Sequence, residues 1–364
     1  MDSSLSLPQH SSHTASTAQQ AQPDSTFLKP DDDGVFTLSF LLLPEYAMLS
    51  LLSAIEPLRV ANRLAGKELY RWQCLSEDGN AVFASNEMAL QPHRNIHEIE
   101  LPRNLFVNSS FHPERYVNPT TIEWLRKLHR QGCILGALDT GCYLLAKAKL
   151  LKGHRITMHW EAVPVFQEEN PTLKISHELF EIDDKRITCA GGTAATDLVL
   201  HLIQLHSGVN LALQVCEQFI KTGIRQKSDK QRISLAHRLN IHHPRLLKVL
   251  GLMDQHIDTP MTPLELAESA FISLRQLERL FNRFLDCTPS QYYLKLRLNR
   301  ARQLLCESEL NVCKVATASG FSSAPHFCRT YRSHFGMTPK AQRKASAPLN
   351  SDPGIVALSD RQAM

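Results

Sequence analysis

Two stretches of the C-terminal third repeat one another, and this constrains the fold more than any other feature of the chain. LELAESAFISLRQLERLFNRFLDCTPSQY begins at Leu264 and CKVATASGFSSAPHFCRTYRSHFGMTPKAQ begins at Cys313. Leu266, Ala267 and Ser273 align with Val315, Ala316 and Ser322 at an offset of 49. After one inserted residue, Leu277, Arg279, Phe281 and Pro289 align with Phe327, Arg329, Tyr331 and Pro339 at an offset of 50. Each copy reads as a short helix, a turn, a serine N-cap and a second amphipathic helix. Such a unit, duplicated, is a pair of helix-turn-helix units. Between them, SQYYLKLRLNRARQLLCES places apolar residues at Tyr293, Leu296, Leu298, Ala301, Leu304 and Leu305, which suits one continuous connecting helix. Two recognition helices on one rigid connector would enter successive major grooves on one face of DNA, about 34 Å apart.

Charge agrees with that reading. The 364 residues carry a net +4, but residues 273–344 hold thirteen Lys/Arg and four Asp/Glu, which leaves this segment at +9 and the remainder at −5. A basic module on an acidic body is the signature of a polyanion-binding unit attached to something else. The motifs ELAESAFISLRQLERLF, RLNRARQLL and ASGFSSAPHFCRTYRSHFGMTP resemble the AraC family of transcriptional regulators over residues 245–344. The resemblance implies an all-α domain with two helix-turn-helix units that binds double-stranded DNA. Phe271 stands where the family's first turn often has a small residue or Gly, and Asp286 stands where Gly usually precedes the Thr-Pro step. Some backbone strain is expected at both, whereas Gly320 and Gly336 keep the pattern in the second copy.

The side chains free to reach base edges lie early in each second helix, away from its apolar stripe. In the first unit these are Leu274, Arg275, Gln276 and Arg279; in the second, Ser323, Ala324, His326 and Arg329. Arg can bond guanine in bidentate fashion and Gln can bond adenine, while Ser and His are more permissive. Arg279 and Arg329 could equally clamp phosphate or the connecting helix.

The first two hundred residues alternate strand-like and helix-like runs. VFTLSFLLL precedes EYAMLSLLSAIEPLRVANRLAG; NLFVNSS precedes TIEWLRKLHRQG; CILGAL and KRITCAGG each lead into a helix. This order predicts an α/β sandwich with a largely parallel, flavodoxin-like sheet over residues 34–225, with ligands at the carboxyl ends of its strands. Residues 1–33 and 345–364 are expected to be unstructured, and 226–244 to form a polar linker. The apolar run from Leu38 is broken by Pro44 and Glu45, so it reads as a strand and a helix, not a membrane span. Nine Cys without CxxC pairs and no signal-like segment point to a reducing cytosol, with no metal or cofactor expected.

One stretch has the look of an active site. In GALDTGCYLLAKAKLLKGHRITMHW, residues 136–160, an apolar run meets a Thr-Gly step and then a helix, which is how α/β folds build a nucleophile elbow. With CAGGTAATDLVLHLI, it resembles the PfpI-like branch of the class I glutamine amidotransferase-like superfamily, over residues 35–225. FLLLPEYAMLSLLSAIEPLRVANRLAGKELYRW resembles regulators that answer to glycine betaine, carnitine or arginine. The resemblance implies a nucleophilic Cys at the elbow of enzymatic members, and here that position is Asp139. Cys142 lies three residues further on, inside the helix. His159 falls where the superfamily places a His, and Ser50 where enzymatic relatives carry a supporting carboxylate.

The chain is therefore expected not to be an enzyme, and Asp139 is the candidate counter-ion for a cationic ligand. Trp160 offers a face for a trimethylammonium or guanidinium group. A helix cap and core packing are the alternatives for Asp139 and Trp160 respectively. Glu56 and Asn62, on the first helix, are further ligand candidates, although Glu56 could pair with Arg59. Thr193 closes a Gly-Gly-Thr step whose N–H groups could hold a carboxylate. The expectation is a cytoplasmic bacterial regulator, an activator acting as a homodimer with RNA polymerase. A small nitrogenous effector would govern it, the signal passing through residues 215–244. The rivals are a cysteine hydrolase or amidotransferase-like enzyme with an accessory DNA-binding domain, and a redox sensor using Cys142 or Cys133.

Overall fold

The computed structural model describes residues 27–308 and 310–346, so most of both expected tails lies outside the described residues. The part of the first tail that is described is held in place. Leu28 is fully buried, and the Lys29 amide donates to Asn104 Oδ1 at 2.7 Å. Residues 27–33, expected to be unstructured, are therefore packed on the domain.

The N-terminal domain runs β1 (Phe36–Leu42), α1 (Met48–Ala65), β2 (Tyr70–Ser76), β3 (Val82–Phe83), β4 (Ala89–Leu90), β5 (Arg94–Asn95) and β6 (Asn104–Ser109). It continues with α2 (Pro119–Arg130), β7 (Ile134–Asp139), α3 (Cys142–Lys147), β8 (Arg155–Ile156), α4 (Val163–Glu169), β9 (Lys174–Ile175), β10 (Phe180–Asp183), β11 (Arg186–Cys189), α5 (Ala194–Ser207) and α6 (Val209–Gln218). Seven strands form one sheet in the order β10-β11-β7-β6-β1-β2-β5, with β3/β4 and β8/β9 as separate short ladders. Every pairing in the large sheet is parallel except β10 with β11. The crossovers of a parallel sheet put helices on both faces, and burial on both faces makes the strands read as unbroken apolar runs. Leu38, Phe40 and Leu42 of β1 face α1, α5 and α6, while Leu41 faces α2 and α3. β1 lies between β2 and β6, where the strand order reverses, which opens a crevice at the carboxyl ends of the strands.

Two readings need adjustment. Only Arg155–Ile156 of the ITMH region is strand, and it lies outside the main sheet; the helix expected from Trp160 begins at Val163, with Pro164 in its first turn. The linker is not featureless, since it contains α7 (Leu235–Leu239), N-capped by Ser234.

The C-terminal domain comprises α8 (Pro244–Gln255), α9 (Pro263–Ser269), α10 (Leu274–Leu285), α11 (Pro289–Glu307), α12 (Val312–Ala318), α13 (Ala324–Phe335) and α14 (Pro339–Ser346). The pairs α9/α10 and α12/α13 are the two helix-turn-helix units. Capping boxes at Thr262, Ser273 and Thr288 start three of these helices. The N-cap of α13 is Ser323, so Ser322 is the inserted residue of the second turn and not the partner of Ser273. Phe271 and Asp286 adopt φ of 56° and 51°, matching Gly320 at 75° and Gly336 at 74°. The strain expected from the two substitutions is therefore present.

α11 ties the units together. Its Tyr293 belongs to the apolar cluster of the first unit, and Leu298, Ala301, Leu304 and Leu305 to that of the second. Arg297 donates to the carbonyls of Ser319 (3.0 Å) and Gly320 (2.6 Å) and lies 4.3 Å over the Phe321 ring. A Cβ on Gly320 would sit 2.3 Å from the Ile257 carbonyl oxygen, so the second turn packs directly on the segment joining α8 to α9. The two readers are held as one piece.

Candidate functional site

The apolar run of β7 ends at Asp139, which adopts a left-handed φ of 59°. Gly141 makes that turn possible, because a Cβ there would lie 2.1 Å from the Val107 carbonyl oxygen. The elbow leaves the Asp139 side chain only 8% exposed. Ser50 Oγ donates to Asp139 Oδ2 at 3.5 Å and accepts from the Gly192 amide at 2.7 Å. Asp139 does not cap α3, whose N-cap is Gly141 with no side-chain bond. Among the described residues it has no ion-pair partner. Burial raises its pKa to about 7; Ser50 opposes the shift and the charge of Glu161 adds to it.

Asp139 opens into a cavity of about 540 Å³ whose walls include Glu114, Tyr143, His159, Glu161 and Glu307. Its lining holds four carboxyl groups and two imidazoles, His112 and His159, but no Lys or Arg. Glu114 is shared with His112 at 3.5 Å and Arg115 at 4.0 Å. Burial lowers the pKa of His159, keeping it neutral. Cys142 is fully buried and its Sγ donates to the Thr157 carbonyl at 3.4 Å. Burial drives the Cys142 thiol well above its ordinary range and the Cys133 thiol up to about 12, so neither supplies a reactive thiolate.

Asp139 and His159 are thus brought together, and the other ligand candidates are not. Trp160 lies outside this cavity and its ring is covered by the Arg232 guanidinium at 4.1 Å. Glu56 pairs with Arg59 at 2.6 Å on the surface. Asn62 fastens α1 to β2, donating to the Tyr70 carbonyl and accepting from the Leu69 and Tyr70 amides. Thr193 is exposed and accepts from Arg225 at 3.0 Å.

The contributions of Glu114, Glu161 and Glu307 were not evident from the sequence. Nor was the anchoring of the linker. Gln231 accepts from the Trp160 amide (2.9 Å) and donates to the Met158 (3.1 Å) and Glu178 (2.8 Å) carbonyls. Lys221 and Arg225 converge on the buried Asp197, and Lys227 pairs with Glu181.

On the reader, Arg275, Gln276, Arg279, Ser323, His326 and Arg329 are exposed and Ala324 is half-buried. None of the three arginines forms an ion pair among the described residues; Arg297, not Arg279 or Arg329, holds the connector. The Gln276 carbonyl accepts from the Ser273 amide, which leaves its NH₂ for a base. The Ser323 hydroxyl makes no cap bond.

The helix-turn-helix domain family matches residues 266–345. Three transcriptional regulators of Pseudomonas aeruginosa resemble the chain along most of its length. HTH-type transcriptional regulator CdhR is 47% identical over 321 residues, covering 87% of this chain and 95% of that protein. GbdR is 41% identical over 315 residues, covering 86% of each. ArgR is 38% identical over 306 residues, covering 84% of this chain and 92% of that protein.

Proposed function

Since the chain belongs to the AraC family of HTH-type transcriptional regulators, we propose that a small nitrogenous cation bound at Asp139 controls its reading of DNA. One observation carries this: a carboxyl group nine-tenths buried, without an ion-pair partner among the described residues, in an acidic cavity. Burying a carboxylate without a counter-ion costs several kcal/mol (roughly), so such a site favours a ligand that brings the missing charge. A trimethylammonium or guanidinium group does so, and Tyr143 offers a ring to it. The effector class is therefore a quaternary amine or arginine. Thr140 and His112 line the same cavity, the Thr140 hydroxyl donating to the Ser110 carbonyl at 2.6 Å and His112 Nδ1 lying 3.5 Å from Glu114.

The output lies in α10 and α13, whose exposed Arg, Gln, Ser and His side chains suit successive major grooves of promoter DNA. Action as a homodimeric activator in contact with RNA polymerase, in the cytoplasm, completes the proposal.

The test uses the full chain. Its three tryptophans, Trp72, Trp124 and Trp160, all lie in the α/β domain, so their fluorescence follows chiefly that domain's melting, with Trp160 also sensing Arg232 of the linker. Glycine betaine, dimethylglycine, carnitine, choline and arginine would be titrated in turn. One of them should stabilise saturably, by about 2.7 kcal/mol at a hundred times its Kd, and Asp139→Ala should abolish the effect. A stabiliser equally effective on Asp139→Ala would refute the site.

A further inference from the structure

We propose that the effector cavity belongs to both domains: Glu307, the last residue of α11 in the DNA reader, supplies a carboxylate to the cation held by Asp139. Effector occupancy then fixes the reader against the α/β domain. This rests on Asp139 being the cation site.

The cavity is closed on one side by Cys306 and Glu307, which end the helix that joins the two helix-turn-helix units. That helix is docked on the α/β domain. Val165 of α4 is fully buried among Leu298, Ala301, Leu304 and Leu305. Arg300 donates to the Pro164 carbonyl at 2.9 Å and Gln303 to the Glu161 carbonyl at 2.5 Å. Gln303 also donates to Glu307 Oε2 at 3.1 Å, so one reader side chain grips both a cavity residue of the α/β domain and the reader's own carboxyl group. Glu307 feels the charges of Glu161 and Glu114 across the boundary, and burial with those charges pushes its pKa up to about 7. Asp139 feels Glu161 from the other side.

Without a cation, Glu161 repels both Asp139 and Glu307 across the domain boundary, and Arg300 offsets this only in part at Glu307. A cation between Asp139 and Glu307 turns the same boundary into an attractive one, and the ligand selects the docked arrangement through its contacts with both sides. α11 carries Arg297 and the packing of both units, so what fixes its end fixes the pair of recognition helices.

The experiment is isothermal titration of the full chain at pH 8 with choline, glycine betaine, carnitine and arginine, with X-ray scattering alongside. Four proteins are compared: the native chain, Asp139→Asn, Glu307→Gln, and Glu100→Gln as a control for general charge, since Glu100 is exposed and lies outside this cavity. The binding amine should lose all measurable affinity in Asp139→Asn and at least about fivefold in Glu307→Gln, and be unchanged in Glu100→Gln. It should also shrink the radius of gyration of the native chain but not of Glu307→Gln. Native affinity and compaction in Glu307→Gln, with binding lost in Asp139→Asn, would overturn the two-domain site and leave the Asp139 site standing. Binding unaffected by either substitution, or no binding by any amine, would overturn both.

Discussion

Replacing Asp139 with Asn should stabilise the effector-free chain, which is the reverse of the usual result of altering a buried polar residue. The carboxyl pKa rises from an ordinary 3.8 to about 7 on folding. At 1.36 kcal/mol per pK unit, that shift of roughly 3 units disfavours the ionised, folded form by about 4 kcal/mol. The sign follows from linkage. A carboxyl group whose folded pKa is raised imposes no penalty below its unfolded pKa near 4, and stability falls as pH rises from there to about 7. Asn removes the penalty and retains an oxygen for Ser50. The α/β domain of Asp139→Asn should therefore gain about 2–4 kcal/mol at pH 8 and less than about 2 at pH 5. Urea unfolding of the full chain, followed by tryptophan fluorescence at both pH values, measures it. A variant less stable than the native chain at pH 8, or a gain independent of pH, would refute the unpaired buried carboxylate.

Amine affinity should rise from pH 6 to pH 8 with release of protons, because a cation binds the ionised forms of Asp139 and Glu307, whose pKa values lie at about 7. The other titratable groups of the lining, Glu114, Glu161, His112, His159, Tyr143 and Cys306, and the neighbouring Arg115 and Arg300, bring no positive charge that grows with pH, and titrations in buffers of different ionisation enthalpy count the protons. Gly320→Ala should cost about 3 kcal/mol or more, from the left-handed backbone and the Ile257 carbonyl together. At the equivalent position of the first unit, Phe271→Gly should gain up to about 1 kcal/mol, since Phe271 is 81% exposed; thermal melts of the two variants decide both. Arg275→Ala should cost about 1–3 kcal/mol and relax one base position of a selected DNA site, whereas uniform weakening across sequences would make Arg275 a phosphate contact.

Much of this was legible before the fold was known, for physical reasons that differ by element. The strands of the sheet are buried on both faces, so β1 and β7 read as unbroken apolar runs. The Thr140-Gly141 step marked the elbow because only glycine fits against Val107. The two readers were legible through their duplication, although Ser323 and not Ser322 takes the cap. Trp160 does not line the Asp139 cavity although its ring lies 5.5 Å from that of His159, because its face is covered by Arg232 of the linker, a contact the local sequence does not announce. Glu307 could not be found at all. It sits at the end of a helix whose periodicity reports only its own packing, and Asp139 and Glu161, with which it lines the cavity, lie more than a hundred positions away. Gln231 likewise lies in a polar segment whose sequence carries no sign of the carbonyls that it meets.

The central claim is that the cavity at Asp139 and the DNA readers are energetically coupled. The most direct measurement is the Kd of the stabilising amine for the full chain, alone and saturated with a DNA duplex selected by the chain from a random pool. Coupling through the docked connector helix predicts values differing by about 5- to 150-fold, and by the same factor when DNA affinity is measured with and without the amine. Identical amine affinities with and without DNA would contradict it.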